Sequence, residues 1–529
     1  LTRIPPEDSR ASLTAGALAA GDGAFGPLAA VGVAPEPDGI AARMSGGPGG
    51  EGGGSGRAGR LSAGQLAAFG VGGVVEGAGY GALQMFQFFY MTAVCGLSGT
   101  LTSLSIAVSL IVDALADPFI GSVSDNLHSR LGRRHPLMLL GIPLSGLALG
   151  LTYSLPRGMG QYAIFVYFTC VSLIYRLGLS AFILPHTAMG FEISGDYRER
   201  TTLRIVTGVF VTLATVTCIS LGMLVFMPTG EAVLNRADYV PFGWTIGLLL
   251  ASGGTLCWLT TLPMRLRMRG PTAASASERW RLRVVAAEVF SNPAFRTIFF
   301  TAMIWFIAGG IVFALALHAN RFFWRLPNWA IQATSIAMPV GALLSIPVSA
   351  AVSNFEKRRV VIGALLVIFA LGVSLAPLRI AGLLPVNGPL LYGILMAASA
   401  LYGMASACIS VFFGSMVGDA VDQHELLFGT RREGLFFSGM TLSAKVGGGL
   451  GAISGGLMLD AIGFPHDPGL LAADALSTTQ IDGLGLIQGP LAALLFASSL
   501  IWLRRYRIDR AEHRRIQAAL SRRDLQDDP

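Results

Sequence analysis

Two carboxylates four residues apart, Asp113 and Asp117, lie inside an apolar run from about Thr100 to Val123. On a helix that spacing stacks both on one face, and the run is long enough to cross a bilayer. Acidic groups inside a membrane span are costly and ordinarily face an interior pathway. The pair therefore predicts ion or proton chemistry; a buried structural pair bonded to neighbouring helices is the plainer alternative. The segment D-A-L-A-D-P-F-I-G-S-V-S-D-N-L-H-S-R-L-G-R-R-H-P (113–136) continues through Asp125, near the same face, into a loop holding Arg130, Arg133 and Arg134.

The elements that must hold this pair follow from composition. Of 529 residues, 53% are hydrophobic and only 13% charged, about half the charged share of a soluble protein. Apolar runs of roughly 20 residues recur along most of the chain, which predicts an all-α integral membrane protein. The alternating short segments of a β-barrel do not stand out. The net charge of +7 does not point to nucleic acid, because the arginines fall in short loops and the tail. The cysteines (Cys95, Cys170, Cys218, Cys257, Cys408) show no spacing of a metal site or disulfide frame. No nucleophile–base pair falls at useful spacing, so an enzyme is not expected.

Residues 1–63 are rich in Gly, Ala, Pro and Ser and predict a disordered leader. Met44 offers a start site within it, and no signal-peptide pattern is present. About twelve spans follow, near 66–93, 99–124, 136–156, 160–188, 203–227, 241–263, 296–320, 328–353, 359–380, 387–417, 434–462 and 485–503. Arginines and lysine cluster in the loops after spans two, four, six, eight and ten, which predicts cytoplasmic termini. The loop 264–295 divides the chain into six spans (64–263) and six spans (296–503), with a basic tail at 504–529. Its W-R-L-R-V-V-A-A-E-V-F reads equally as a surface helix or a solvated linker. The tail reads as a leaflet-bound segment or as an orientation signal. An internal repeat supports the division: P-F-I-G-S-V-S-D at 118–125 resembles P-V-S-A-A-V-S-N at 347–354. Two pseudo-symmetric six-helix bundles of this kind are the layout of the major facilitator fold, with a solute site between them. Aligning the repeats sets Ala342 opposite Asp113 and Ile346 opposite Asp117. The carboxylates thus occur in one half only, which favours chemistry over architecture.

Two further segments complete a pattern: L-P-H-T-A-M-G-F-E-I-S-G-D-Y-R-E-R-T-T-L-R (184–204) and G-D-A-V-D-Q-H-E-L-L-F-G-T-R-R-E-G-L-F-F-S-G-M-T-L-S-A-K (418–445). Together with 113–136 they resemble the glycoside–pentoside–hexuronide:cation symporters, the melibiose-permease branch of the major facilitator superfamily. The resemblance covers about residues 66–503. It implies that Asp113 and Asp117 bind the coupling cation with help from Ser180, and that Lys445 links the cation and solute sites. Lys445 is the one lysine placed inside a span, and a simple counter-charge to an aspartate is its plainer role. No cofactor is implied beyond the coupling ion, H+ or Na+, and no metal beyond Na+ at those aspartates. Ala116 stands where the family can carry an amide ligand; losing an oxygen weakens a sodium cage more than a proton site, which favours H+.

The solute site departs from the pattern. Gly77, Ile183 and Gly208 stand where the melibiose permease uses two acids and an arginine. Glu76 is a substitute for the first, about 100° round the helix. Arg176 pairs with an aspartate or binds an anionic group, and both readings stay open. The aromatics Trp305, Phe306, Phe322, Phe323 and Trp324 read as interfacial anchors before ring-stacking residues. His186 reads as a polar cap and His424 as a loop residue. G-V-G-G-V-V-E-G-A-G (70–79) and G-G-G-L-G-A-I-S-G-G (447–456) read as close helix packing, not nucleotide loops. A cytoplasmic gate is expected from Asp125, Arg133, Arg134, Asp196, Glu199, Arg200, Asp419, Arg431 and Arg432, paired across the seam between bundles. The overall expectation is a monomeric secondary transporter in a plasma or bacterial inner membrane. It would carry a sugar-like solute with H+ or Na+ by alternating access. A lysolipid or amphiphile carrier on the same fold and a non-transporting receptor or scaffold are the alternatives.

Overall fold

The computed structural model describes residues 61–194, 196–267, 289–472 and 476–527. The leader before 61, with Met44, and the loop around Trp280 lie outside the described residues, although Val289 and Phe290 are helical. The membrane helices are α1 (Ala63–Gln87), α2 (Gly99–Asn126), α3 (His135–Thr152), α4 (Gln161–Ile193), α5 (Glu199–Phe226) and α6 (Arg236–Met264). They continue with α7 (Pro293–Phe323), α8 (Asn328–Ala351), α9 (Lys357–Ile380), α10 (Pro389–Phe428), α11 (Glu433–Ala461) and α12 (Thr478–Leu503), and α13 (Arg510–Asp527) ends the chain. Among the described residues, eleven helices are long and apolar enough to cross a membrane. The twelfth, α11, is equally long, but Lys445 and its glycines lower its apolarity.

Local signals set the helix starts. Ser98 caps α2 by accepting from Leu101 N, and Asn292 caps α7 by accepting from Phe295 N with Pro293 at the first turn. The largest departure from expectation is α10, which runs past residue 417 to Phe428. The apolar run stops there, but Val417, Ala420, Val421 and His424 keep a helical period and are all buried. His424 is accordingly no loop residue: it is fully buried, its ring 4.6 Å from that of Phe428 and 5.3 Å from that of Phe436.

Helix packing repeats when six is added to each number. The pairs α1–α5, α2–α4, α3–α4 and α3–α6 recur as α7–α11, α8–α10, α9–α10 and α9–α12, the two pseudo-symmetric six-helix bundles of the major facilitator fold. Small residues allow the close approaches. A Cβ on Gly77 would sit 2.1 Å from Val211 O, and one on Gly451 would sit 2.2 Å from Ile307 O. Both glycine-rich runs therefore pack helices.

The halves meet mainly at the end away from the basic loops. There Asp460 at the end of α11 accepts from Gly99 N (2.7 Å), Thr100 N (2.8 Å) and Thr100 Oγ (2.6 Å) at the start of α2. Thr92 Oγ1 lies 2.8 Å from His318 Nε2, and Gln332 donates to Ser220 Oγ at 2.6 Å. The apolar core of the first half continues there into Leu315, Phe322, Phe464 and Leu484. A second apolar core, built on Phe295, Phe413 and Phe436, joins the second half to the tail and, among the described residues, holds none of the first half.

The basic tail folds as α13 and docks on the second half, burying Tyr506, Ile508 and Ile516. Asp419 on α10 anchors it, accepting from Lys357 Nζ (2.7 Å) and Tyr506 Oη (3.2 Å) with His513 Nε2 3.3 Å away. Burial and the adjacent Asp419 carboxylate push the Tyr506 phenol well above its ordinary range. Neither sequence expectation for the tail included this docking.

Candidate cation and solute site

Helices α2 and α4 run in the same direction, so residues four apart on each form matching rungs. On the first rung Arg176 Nε donates to Ser109 Oγ at 2.9 Å. One turn on, Ser180 Oγ donates to Asp113 Oδ1 at 2.8 Å. Asp117 follows one turn further along α2. Both carboxylates are buried, with 6% and 8% exposure, and this is where the four-residue spacing leads.

Lys445 reaches the pair from α11. Its ammonium donates to Asp113 Oδ2 at 2.9 Å and to Asp117 Oδ2. The result is a buried group of two anions and one cation shared between halves. Such a group is costly to desolvate and is held only by good geometry. Asp117 Oδ1 is buried with no hydrogen-bond partner among the described residues. Two carboxylates and the Ser180 hydroxyl form an all-oxygen set suited to a proton or a hard monovalent ion. Among the described residues no group of three or more His, Cys, Asp or Glu is placed to hold a metal.

The triad lines a cavity of about 650 Å³ between the halves, within the range of small-molecule sites. Asp113, Asp117, Arg176 and Lys445 are its charged lining residues. Glu76 is not among them; it lies one turn before Tyr80, which does line the cavity with Gln84 and Gln87. Gln87 Nε2 donates to Ser172 Oγ at 3.1 Å. These polar positions on α1 were not anticipated, although Tyr80, Gln84 and Gln87 at helical spacing in an apolar span were a visible signal. Trp305, Phe306 and Trp324 also line the cavity, and Phe322 and Phe323 are buried. The interfacial-anchor reading fails for these five. Trp305 lies mid-helix, and none of the five rings is left exposed at a helix end. His186 Nε2 lies 3.0 Å from Phe69 O, at the turn that interrupts α1, and its ring stacks on Phe69 and Phe182. At the repeat-related positions, Ala342 lines the cavity opposite Asp113, whereas Ile346 is exposed.

The sequence matches the MFS/sugar transport protein family over residues 68–510. The chain belongs to that family. It is 26% identical to the uncharacterized symporter sll1374 of Synechocystis sp., covering 86% of this chain and 96% of the relative. It is 23% identical to the isoprimeverose transporter of Lactiplantibacillus pentosus, covering 81% and 85%. Among solved structures, the nucleoside transporter NupG superimposes with a TM-score of 0.53 at 15% identity over 83% of this chain and 97% of that one, which supports the fold. The resemblance to the glycoside–pentoside–hexuronide:cation symporters stands, and the protein is a multi-pass membrane transporter of the MFS type, not an enzyme.

In this transporter the charges of the basic-loop end, expected to latch across the seam in the outward-facing state, pair here within each bundle. Arg134 is buried and joins Asp125 (2.6 Å), Ser124 Oγ (3.0 Å) and Glu192 (2.5 Å), while Arg133 also reaches Glu192 (2.9 Å). Glu199 accepts from Leu61 N and Ser194 Oγ, and Arg200 Nε donates to Ser194 O. Asp196 turns its backbone to Ser194 and Arg200. In the second half Asp419 holds Lys357, and Arg431 holds Asp422, Glu425 and Glu433. Burial lowers the Arg431 pKa, but these carboxylates more than reverse that and raise it. Arg432 is exposed at the start of α11. With the bundles sealed at the opposite end, these ion pairs lie within one half. Glu192, the hub of the first half, was absent from the expected set.

Proposed function

We propose that the protein is a cation-coupled symporter of a small polar, sugar-like solute, working by alternating access. The observation that carries this is Lys445 of the second half bridging Asp113 and Asp117 of the first, at the wall of the central cavity. A proton or Na+ arriving at the carboxylates competes with the ammonium. Loading the site therefore alters the contact that ties the bundles together, as coupling requires. The oxygen set accommodates either ion; the absence of an amide beside Asp117 favours H+. The basic loops support a cytoplasmic position for that end and both termini. The seal at the opposite end then corresponds to a state facing the cytoplasm.

The test is uptake of labelled glycosides into proteoliposomes with proton and sodium gradients imposed separately. Wild type is expected to accumulate a solute under one gradient, and Asp117→Asn to lose that accumulation. Flux that ignores both gradients, or persists in Asp117→Asn, refutes the coupling. A carrier of a lysolipid or other amphiphile is the second reading, favoured by the largely apolar cavity wall of Leu110, Leu179, Trp305, Phe306 and Leu371. Gradient-dependent transport of a labelled lysolipid with none of the glycosides would select it.

A further inference from the structure

We propose that His318 is a second proton-binding site, separate from the carboxylate pair, and that its protonation opens the sealed end between the bundles. This rests on the alternating-access reading above and adds to it a control by acidity. His318 lies near the end of α7 and meets Thr92 of the first half, on the wide, π-type turn Tyr90–Val94 that follows α1. A turn of the same kind, Ala319–Phe323, follows His318 directly, and such turns recur at functional sites. Both side chains are buried, His318 completely.

The hydrogen bonds assign the tautomer. Thr92 Oγ1 donates its single proton to Phe88 O at 2.8 Å. At its 2.8 Å contact with His318 it therefore accepts, and the ring proton sits on Nε2. Nδ1 is then the bare lone pair, buried with no hydrogen-bond partner among the described residues. The rings of Phe88, Phe89 and Phe464 surround it, with centroids 5.7, 4.8 and 5.3 Å away.

The titratable groups of the neighbouring elements are engaged elsewhere. Tyr90 donates to Tyr153 O, with Cys95 beside it. Asp460, at the end of α11, is taken by Gly99 and Thr100, and His466 lies 4.0 Å from it. Arg321, on the turn after His318, lies against Gly230. Among the described residues no charged side chain acts on His318. A proton on Nδ1 would bring a positive charge and a new N–H into this site with no anion or acceptor beside it. Cation–π attraction to the phenylalanine rings offsets only part of that cost.

The sealed end thus takes the neutral ring alone. Once the bundles part, water reaches the ring, which then titrates in the ordinary imidazole range near pH 6.5. A proton that binds only the open form shifts the balance towards it. At about pH 5.5 the open-to-sealed ratio rises about 11-fold, and at about pH 8 it is hardly changed. With the basic loops cytoplasmic, the group reads acidity outside. An acidic exterior then draws empty carriers to face it, where protons for the carboxylates are plentiful.

The experiment places spin labels at exposed Arg157 and Asn387 in the full chain, its five cysteines replaced. The distance between them at the sealed end is followed from about pH 8 to about pH 4. With His318 present, the ratio of long to short distances should stay constant above about pH 7.5 and rise about tenfold by about pH 5.5. His318→Gln, whose amide replaces Nε2–H as donor to Thr92, should stay sealed across that range. His318→Phe, with no basic nitrogen, should also lose the pH response whatever its starting ratio. His466→Gln should respond as the parent does. An unchanging ratio in the parent overturns the proposal, as does a rise confined below about pH 4.5, the carboxylate range. A response kept in folded His318→Gln or His318→Phe, or lost in folded His466→Gln, also overturns it. Uptake in proteoliposomes separates this from the symport reading. Gradient-driven flux without pH-dependent opening leaves symport standing and overturns the switch. Opening that depends on His318, without gradient-driven flux, upholds the switch and refutes coupling.

Discussion

Replacing Asp460 should loosen the seal between the bundles without touching the cation site. Its carboxylate accepts three hydrogen bonds across the seam, two from backbone N–H groups in the first turn of α2. A carboxylate there satisfies otherwise unpaired donors and meets the positive end of the helix dipole. Hydrogen bonds to a charged group contribute about 1.5–3 kcal/mol each when desolvated. The side chain is 23% exposed, and in the opposite state water replaces these contacts, so only the difference between states counts. Ser98 continues to cap α2 through Leu101 N. A net loss of about 2 kcal/mol for Asp460→Ala is therefore reasonable, which is roughly a 30-fold shift towards the unsealed state. Spin labels at exposed Arg157 and Asn387, in a background with the five native cysteines replaced, would report the separation of the bundles at that end. Wild type should give one dominant short distance, and Asp460→Ala a second, longer population that approaches or exceeds the first. An unchanged distribution in a folded variant would refute the latch. Gly456→Ala should act in the same direction, since its Cβ would lie 2.2 Å from Gly99 O.

Lys445→Ala leaves two buried carboxylates facing each other, so it should cost about 3–5 kcal/mol of stability, read as a lower melting temperature in detergent. Adding Asp113→Asn should recover much of that loss, and strict additivity of the two changes would contradict the triad. Arg134→Ala should destabilise by about 1.5–3 kcal/mol because it removes the buried guanidinium that Glu192 and Asp125 share, Arg133 keeping its own contact with Glu192, whereas Arg431→Ala, half exposed, should change stability by less than about 1 kcal/mol. Gly341→Ala should lower the melting temperature sharply, its Cβ falling 1.8 Å from Ala400 O, while Gly414→Ala, with open space around it, should not. The raised Tyr506 pKa means the folded state holds that proton more tightly than the unfolded one. Its contribution to docking α13 is thus complete below about pH 10 and declines as pH rises above that value. Tryptic cleavage within α13 should stay slow through neutral pH and accelerate only in strong alkali or in Tyr506→Phe.

Much of this transporter was legible in one dimension. Residue spacing placed Asp113 and Asp117 on one face, and hydropathy located the spans, because helical period and bilayer thickness are local constraints. Where local pattern and tertiary packing diverged, the reading failed. The end of α10 was set too early because the buried face of 417–424 is amphipathic rather than apolar. Charge alone also missed Glu192, which in this state is the partner of both Arg133 and Arg134.

The sequence by itself determined the helices, their number and the face each charge occupies, since these depend on residues within one or two turns of each other. Only the tertiary structure decided that Lys445 meets aspartates more than 300 positions away, that Arg176 is left facing the cavity, and that Asp460 closes the far end. Those contacts depend on the register between separately built bundles, which no local period encodes.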